Sequence, residues 1–348
     1  MTEQQFLNEL EMALTKLPSD ERNDIFQDIK EYFTDGRVDG KSDSEIAASL
    51  GSPKEIAEEL LANYVPEKID SNTDTKKIHI TNDNFTKVAM NIKIGSLHVY
   101  PSDSDVTIIE LVNAHEKLAL TADVIGDTLS IDLKAPKFAF FGFLQIFKGV
   151  KVNVALPQKL YTAISMKTDN GGIVAIKVLG KTVKVTSDNG SIEIKEIAAM
   201  VLDVETDNGR IAIDNVQVDK LTTETDNGRI EMRNVDAEQV HTETDNGRII
   251  MEYVNGNITG RTDNGRISLL TTSLDRMIDL ETDNGSISVA TENNPTDVSI
   301  RARVDHGKID VFGEKNSRTT FGSGTNTVQL STDNGKITVF KKEANVPV

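Results

Sequence analysis

The chain has 348 residues, of which 38% are hydrophobic and 27% charged, as is ordinary for soluble globular domains. Its formal net charge of −17 repels phosphate backbones, which argues against nucleic-acid binding. There is no cysteine, which excludes disulfides, thiolate zinc sites and cysteine nucleophiles. The N-terminus lacks a secretion signal, and no window approaches the roughly 18 uninterrupted apolar residues of a membrane span. We therefore expect a cytoplasmic protein.

Residues 1–64 predict a small all-α domain of four short helices. Thr2 and Gln5 have the spacing of a capping box, and Pro18 ends the first helix. Its apolar face consists of Phe6, Leu10, Ala13, Leu14 and Leu17. A second helix carries Ile25, Ile29 and Phe33 and stops near Gly36. These 64 residues hold 15 acidic and 6 basic side chains, so the acidity of the chain is concentrated here.

Two further helix starts follow in "DGRVDGKSDSEIAASLGSPKEIAEEL", residues 35–60. They are Ser42 with Glu45 and Ser52 with Glu55, and Pro53 occupies a first helical position. This order of residues resembles the HAAS domain, a helical signalling domain often encoded beside PadR-type winged-helix regulators. The resemblance implies protein–protein signalling. The alternative is a plain four-helix domain whose acidic face is solvated.

Polar residues without periodicity predict a linker at 65–76, "VPEKIDSNTDTK". Residues 77–160 then predict an irregular β segment that begins the β domain. Its stretches "KVAMNIKIGSLHVY", "TIIELV", "DTLSIDL" and "VKVNVALP" are rich in β-branched residues but share no mutual repeat.

Residues 161–341 contain a repeat that is marked by the triplet Asp-Asn-Gly, with strand-like residues on both sides of it. The copies are Asp169-Asn170-Gly171, Asp188-Asn189-Gly190, Asp207-Asn208-Gly209, Asp226-Asn227-Gly228, Asp245-Asn246-Gly247, Asp263-Asn264-Gly265, Asp283-Asn284-Gly285 and Asp333-Asn334-Gly335. A ninth, variant copy is Asp305-His306-Gly307. Four successive intervals are 19 residues, followed by intervals of 18, 20, 22 and 28.

A lone Asn-Gly between strands is typical of a hairpin. A constant interval instead favours stacked coils, because each rung must lie about 4.8 Å above the last. We therefore predict an all-β solenoid, a β-helix-like stack of rungs of about 19 residues, behind the α-helical domain.

The triplets are predicted to be structural corners. We expect the aspartate to accept hydrogen bonds from turn N–H groups, and Asn or Gly to adopt a positive φ, as at Asn227 or Gly228. The glutamates before the corners and the arginines after them are expected to offset one another: Glu205, Glu224, Glu243, Arg210, Arg229 and Arg248. The alternative is a calcium site, which an arginine beside the carboxylates and one glycine per corner disfavour. We predict no metal and no cofactor.

The stretch "VALPQKL" followed by "S/T-D-N-G-x-I-x-I" rungs resembles the Toastrack family of adhesin-like β-repeat proteins. That resemblance covers residues from about 77 to 340. It implies a place in bacterial envelope-stress systems of the phage-shock and Lia type, where a HAAS domain often precedes the repeats. It also implies protein partners, including membrane-associated ones, at the inner face of the membrane, and supplies no catalytic residues.

The sequence shows no catalytic constellation. His79, His98, His115, His241 and His306 are isolated, and "GSGT" at 322–325 is interpreted as a flexible loop. The alternative function is a carbohydrate-active enzyme or carbohydrate binder on a β-helix. Such a protein would need aromatic rows, whereas Tyr253 is the single aromatic residue between 169 and 307. A minor alternative is ice binding through Thr223, Thr225, Thr242 and Thr244, which span only two rungs.

The segment 136–151, "PKFAFFGFLQIFKGVK", concentrates aromatic residues. Its phenylalanines are Phe138, Phe140, Phe141, Phe143 and Phe147. We expect a hydrophobic cap on an open end of the strand array. The alternative is a weak peripheral contact with a membrane or a partner, aided by Lys134, Lys137, Lys148 and Lys151. Open edges would also allow self-association between copies.

Overall fold

A computed structural model describes residues 1–15, 22, 26, 29, 30, 33, 37, 41–63, 75–114, 118–134 and 149–342. These residues form two compact units, one helical and the other built of β-strands. The predicted fold class, a small all-α N-terminal domain followed by an all-β solenoid, is confirmed.

Three helices have defined bounds in the helical unit: α1 is Glu3–Ala13, α2 is Asp43–Leu50 and α3 is Pro53–Asn63. Reciprocal capping boxes start the first two, with Thr2 and Gln5 at α1 and Ser42 and Glu45 at α2. Each box satisfies backbone N–H groups that the first helical turn leaves without partners. Local sequence therefore fixes where these helices begin.

The helical unit has its own apolar core. Phe6, Leu10 and Leu14 of the predicted apolar face are fully buried. Phe6 meets Phe33 edge to face at 5.8 Å between ring centroids. Arg37 joins two helix starts, because its guanidinium lies 2.7 Å from Glu3 and 2.9 Å from Asp43. Hydrogen bonds from Arg37 and from the Glu3 N–H lower the pKa of Asp43.

In the part of the chain that the structure describes, the β unit is a single sheet of 21 strands. The strands are β1 (Lys76–Ile80), β2 (Lys87–Ile94), β3 (Ser96–Pro101), β4 (Thr107–Val112), β5 (Ala119–Ile125), β6 (Thr128–Lys134), β7 (Lys151–Leu156), β8 (Tyr161–Asn170), β9 (Ile173–Ile176), β10 (Leu179–Ser187), β11 (Ile192–Lys195), β12 (Ala198–Thr206), β13 (Ile211–Thr225), β14 (Ile230–Thr244), β15 (Ile249–Thr262), β16 (Ile267–Thr271), β17 (Ile278–Asn284), β18 (Ile287–Thr291), β19 (Val298–Val311), β20 (Arg318–Phe321) and β21 (Asn326–Lys341).

In the 19-residue rungs, each residue lies beside the residue 19 positions later. Ile211 pairs with Ile230 and Leu221 with Val240, in parallel strands. Burial alternates along β13, and the buried residues are Ile211, Ile213, Val216, Val218, Leu221, Thr223 and Thr225. Because equivalent positions stack, these side chains form continuous columns through the interior.

The stack extends beyond the Asp-Asn-Gly repeats, into the segment predicted to be irregular. Strands β2 and β3 pair in parallel with β8 and β9, and on their other side with β6 and β7. Two further rungs therefore precede the repeats. Antiparallel strands then complete this end, with β5 on β6, β4 on β7 and β1 on β4.

At the other end the last two rungs are exchanged in space. Strand β21 lies between the β17–β18 rung and β19, although β19 precedes it in the chain. The antiparallel strand β20 on β19 reverses the chain and returns it to the inner position. The variant corner is consequently terminal, with His306 stacked on Asn334. An end corner has one stacked neighbour, so its side chain need not link two others.

Several predicted features lie outside the described residues. They are Leu17, Pro18 and Ile25 of the first two predicted helices, residues 65–74 of the linker, His115, and Phe138, Phe140, Phe141, Phe143 and Phe147. No helix among the described residues is long and apolar enough to span a membrane.

Candidate functional site

The Asp-Asn-Gly triplets lie in one line along the β unit, at the turn between two strands of each rung. From Asn189 onward, each asparagine of the triplets donates from Nδ2 to Oδ1 of the asparagine in the adjacent rung of the stack. These contacts run from Asn170 through Asn189, Asn208, Asn227, Asn246, Asn264 and Asn284 to Asn334, at 3.0–3.4 Å. An amide both donates and accepts, so it is suited to every internal corner.

The backbone at the corners bonds from rung to rung as well. The N–H of Asn227 donates to the carbonyl oxygen of Asp207 at 2.9 Å, and the same bond is made by Asn189, Asn208, Asn246, Asn264 and Asn284. Among the described residues, the corner carboxylates accept no hydrogen bond from a turn N–H, contrary to the expectation. The bond at these corners is made by the aspartate carbonyl, whereas the carboxylates of Asp169 and Asp188 form ion pairs with Lys93 and Lys167.

A buried hydroxyl precedes every internal corner and was not anticipated as a partner of the turn. Thr225 Oγ1 donates to the carbonyl oxygen of Gly209 at 3.2 Å, and Thr244 Oγ1 to that of Gly228 at 3.0 Å. The equivalent donors elsewhere are Ser187, Thr206, Thr262, Thr282 and Thr332. These bonds satisfy glycine carbonyls that the turn would otherwise leave without partners.

The expectation of a positive φ at Asn227 or Gly228 is wrong, since neither residue is among those with positive φ. Glycine is required for another reason. A Cβ added to Gly228 would lie well under 3.0 Å from the carbonyl oxygen of Gly209, a separation that real Cβ atoms essentially never show. The corner glycine therefore permits close approach of stacked backbones.

Positive φ occurs instead at a second corner, which the sequence did not reveal. The residues there are Lys177, Glu196, Asn215, Asn234, Tyr253 and Phe312, with φ between 51° and 55°. Asn215 and Asn234 repeat the amide ladder at 3.1 Å. The other four residues at this corner are of four different types. The 19-residue spacing of Asn215 and Asn234 was therefore the one sequence pattern that could have predicted this corner.

The glutamates before the corners do not pair with the arginines after the corners, contrary to the prediction. Arg229 lies 2.8 Å from Glu231, and Arg210 pairs with the same residue. The pKa of Glu224 is raised by burial and by its neighbours Glu205 and Glu243. The arginines beyond the corner therefore pair on another face, while Glu205 has Lys184 at 3.5 Å and Glu243 has His241 at 3.3 Å.

The described residues provide no candidate metal centre. Among them, no three His, Asp or Glu side chains are grouped to hold a metal ion. His98 is half-buried, and burial and Lys151 lower its pKa. Tyr253 already has partners within the protein: its hydroxyl donates a hydrogen bond to Glu292 Oε1 at 3.0 Å, and Lys342 Nζ lies 5.6 Å from the centroid of its ring.

The structure also bears on two further sequence interpretations. The threonines considered for ice binding, Thr223, Thr225, Thr242 and Thr244, are all buried and cannot present a surface lattice. The loop at 322–325 is anchored to Asp297, which accepts hydrogen bonds from Ser323 Oγ at 2.7 Å and from the Thr325 N–H at 3.1 Å. These bonds lower the pKa of Asp297 to about 2.

The fold and its stacked corners define a β-solenoid repeat protein with a helical N-terminal domain. A family model described as Toastrack DUF4097 matches residues 85–340, and the chain belongs to this family. The HAAS model matches residues 5–59. Both resemblances are thereby confirmed. This combination of domains fits a non-enzymatic interaction role.

Several solved structures are similar to this chain. One is a "putative adhesin" from Bacteroides fragilis, 16% identical over 80% of this chain and 99% of its own, with a TM-score of 0.39. Another is a "putative lipid binding protein" from Parabacteroides distasonis, 14% identical over 79% of this chain and 99% of its own, with a TM-score of 0.45. The search of curated proteins returned no match.

Proposed function

We propose that this protein is an interaction scaffold or sensor in bacterial envelope-stress signalling, and that its HAAS domain makes the signalling contact. Its partners are proteins, including membrane-associated envelope-stress components, and it works in the cytoplasm at the inner face of the membrane. The observation that carries the proposal is the union of two modules in one chain, a HAAS domain at 5–59 and a Toastrack domain at 85–340.

The surface properties of the two units support separate roles, with the β unit as scaffold and the helical unit as signalling contact. The β unit is held by bonds that repeat from rung to rung, such as the asparagine ladder, so it offers a long regular surface. The helical unit is compact and strongly acidic, with 15 acidic and 6 basic residues in its 64 positions. Such a surface favours basic partner surfaces through electrostatic complementarity.

Affinity capture from envelope-stressed bacterial cells tests the proposal. We expect the full chain to recover envelope-stress proteins, and a chain lacking residues 1–64 to lose them. A point variant avoids the deletion: Glu9→Lys with Glu11→Lys reverses two exposed charges on α1 and should reduce recovery at least about tenfold.

The matched control is Asp103→Lys with Asp105→Lys, which makes the same charge change at two exposed positions of the β unit. This control should recover the same partners as the unaltered chain. Equal recovery by the α1 variant, the deletion and the unaltered chain would remove the HAAS domain from the contact and overturn the proposal.

A further inference from the structure

A groove runs along the outside of the β unit, across five successive rungs. Its volume is about 540 Å³. The floor is a column of small residues, because Gly180, Ala199, Val218 and Ala237 occupy equivalent positions in adjacent strands. Their short side chains leave the space that larger residues would fill. The hollow is therefore produced by the repeat itself.

One end of this groove is apolar and exposed. Leu160, Leu179 and Met200 line it, with exposed fractions of 62%, 41% and 53%. Three large aliphatic side chains in neighbouring rungs form a contiguous patch, whereas single exposed apolar residues are ordinary. Such a patch is favourable to cover, because burial removes apolar area from water.

The other end is acidic. Asp219, Asp236 and Glu238 line the groove one and two rungs beyond Met200. In the part of the chain that the structure describes, none of these three carboxylates takes part in an ion pair. Lys181 is the basic residue of the lining, and it lies at the apolar end. Polarity therefore changes along the groove from aliphatic to anionic.

From this gradient we infer that the groove binds an amphipathic helix of a partner protein, with apolar residues at one end and Lys or Arg at the other. Four steps of about 4.8 Å separate the rung of Leu160 from that of Asp236, roughly 19 Å. A helix of about 13 residues has that length at about 1.5 Å per residue. The inference rests on the proposed interaction function and names a partner class and a docking surface for it.

Charge complementarity selects this occupant. An apolar helix without basic residues would leave three carboxylates facing apolar surface, which is costly. A basic helix places cations against them and lets its leucines cover Leu160, Leu179 and Met200. The net charge of −17 also steers a basic segment toward the protein. This is the helix-in-groove mode of recognition.

The probe is a fluorescein-labelled synthetic peptide of about 14 residues, with leucines on one face of its first half and lysines in its second half. Its control has the same composition in an order that removes the apolar face. Fluorescence anisotropy with the purified full chain should give saturable binding for the probe and at least about tenfold weaker binding for the control. Added salt should weaken binding of the probe.

Two groove variants should each weaken binding at least about tenfold: Met200→Glu at the apolar end, and Asp236→Lys with Glu238→Lys at the acidic end. Both alter surface groups, so the thermal midpoint serves as a check on folding. The Asp103→Lys, Asp105→Lys variant has the same charge change as the second and should bind the probe as the unaltered chain does.

No saturable binding, or equal loss in the Asp103→Lys, Asp105→Lys variant, would overturn the inference. Vesicles of phosphatidylcholine and phosphatidylglycerol form a second arm, and binding to them that Met200→Glu abolishes would assign the surface to lipid instead. The outcome is separable from the proposed function. The peptide assay needs no cellular partner, and the α1 variant Glu9→Lys, Glu11→Lys should leave it unchanged.

Discussion

Replacing Gly228 with alanine is expected to lower the free energy of unfolding by at least about 3 kcal/mol, the upper end of overpacking costs. The new Cβ would meet the carbonyl oxygen of Gly209 and would lie 2.7 Å from Thr225 Oγ1. Backbone cannot yield as a flexible side chain can, so the two rungs must separate. Chemical denaturation of the purified protein measures the loss.

Gly126→Ala is the matched control, because it isolates the effect of backbone conformation. Gly126 has φ +59°, and an added Cβ would have no heavy atom within 4 Å. The left-handed conformation alone should cost about 1–2 kcal/mol. A cost at Gly228 no larger than that at Gly126 would contradict the close-approach explanation of the corner glycines.

Two buried threonines on one strand are expected to respond to the same substitution with opposite sign. Thr225→Val should destabilise the protein by about 1–3 kcal/mol, because the carbonyl of Gly209 loses the hydroxyl that bonds it at 3.2 Å. Thr223→Val should stabilise it by about 1 kcal/mol, because Thr223 Oγ1 is buried without a hydrogen-bond partner in the described residues. Unfolding midpoints of the two variants give both signs.

Valine already occupies the position of Thr223 in two preceding rungs, as Val185 and Val204, so Thr223→Val is expected to fit the stack. Thr225→Ser is the control for the first, because it keeps the hydroxyl and removes only a methyl group. It should lose less stability than Thr225→Val. Loss of stability in both valine variants would show that the hydroxyl of Thr223 has a partner in solution.

Spacing alone predicted the stack, but the chemistry of its corners depended on contacts between residues 19 apart. The letters Asp-Asn-Gly suggested a turn with positive φ, because such turns are the commonest use of Asn-Gly in isolation. In a stack, each glycine faces another glycine, and each asparagine an asparagine. Those contacts, such as Asn227 with Asn208, explain the triplet better than the local turn does.

The rungs that lack the Asp-Asn-Gly triplet could not be predicted from the sequence. The rung of β2 and β3 turns at Lys93, Ile94 and Gly95, which share only the glycine with the triplet. Its pairing with β8 is set by buried positions such as Met90 and Met166. Matching apolar positions in strands about 76 residues apart is too common a pattern to be distinctive.

The exchange of β19 and β21 has a similar cause. The interval of 28 residues before Asp333 indicated an insertion but not its path. That path depends on β20, whose four residues pair antiparallel with β19. The groove could not be predicted from the sequence, because the column that contains Leu179, Gln217 and Asp236 changes from apolar to acidic along the rungs.

Photo-crosslinking in living cells tests most directly whether the helical unit makes the signalling contact. A photoreactive residue replaces Met12 on α1 or Ile125 at the end of β5, positions with exposed fractions of 69% and 72%. The account predicts that Met12 forms a covalent adduct with another protein under envelope stress, while Ile125, equally accessible, does not. An adduct from Ile125 but none from Met12 would contradict it.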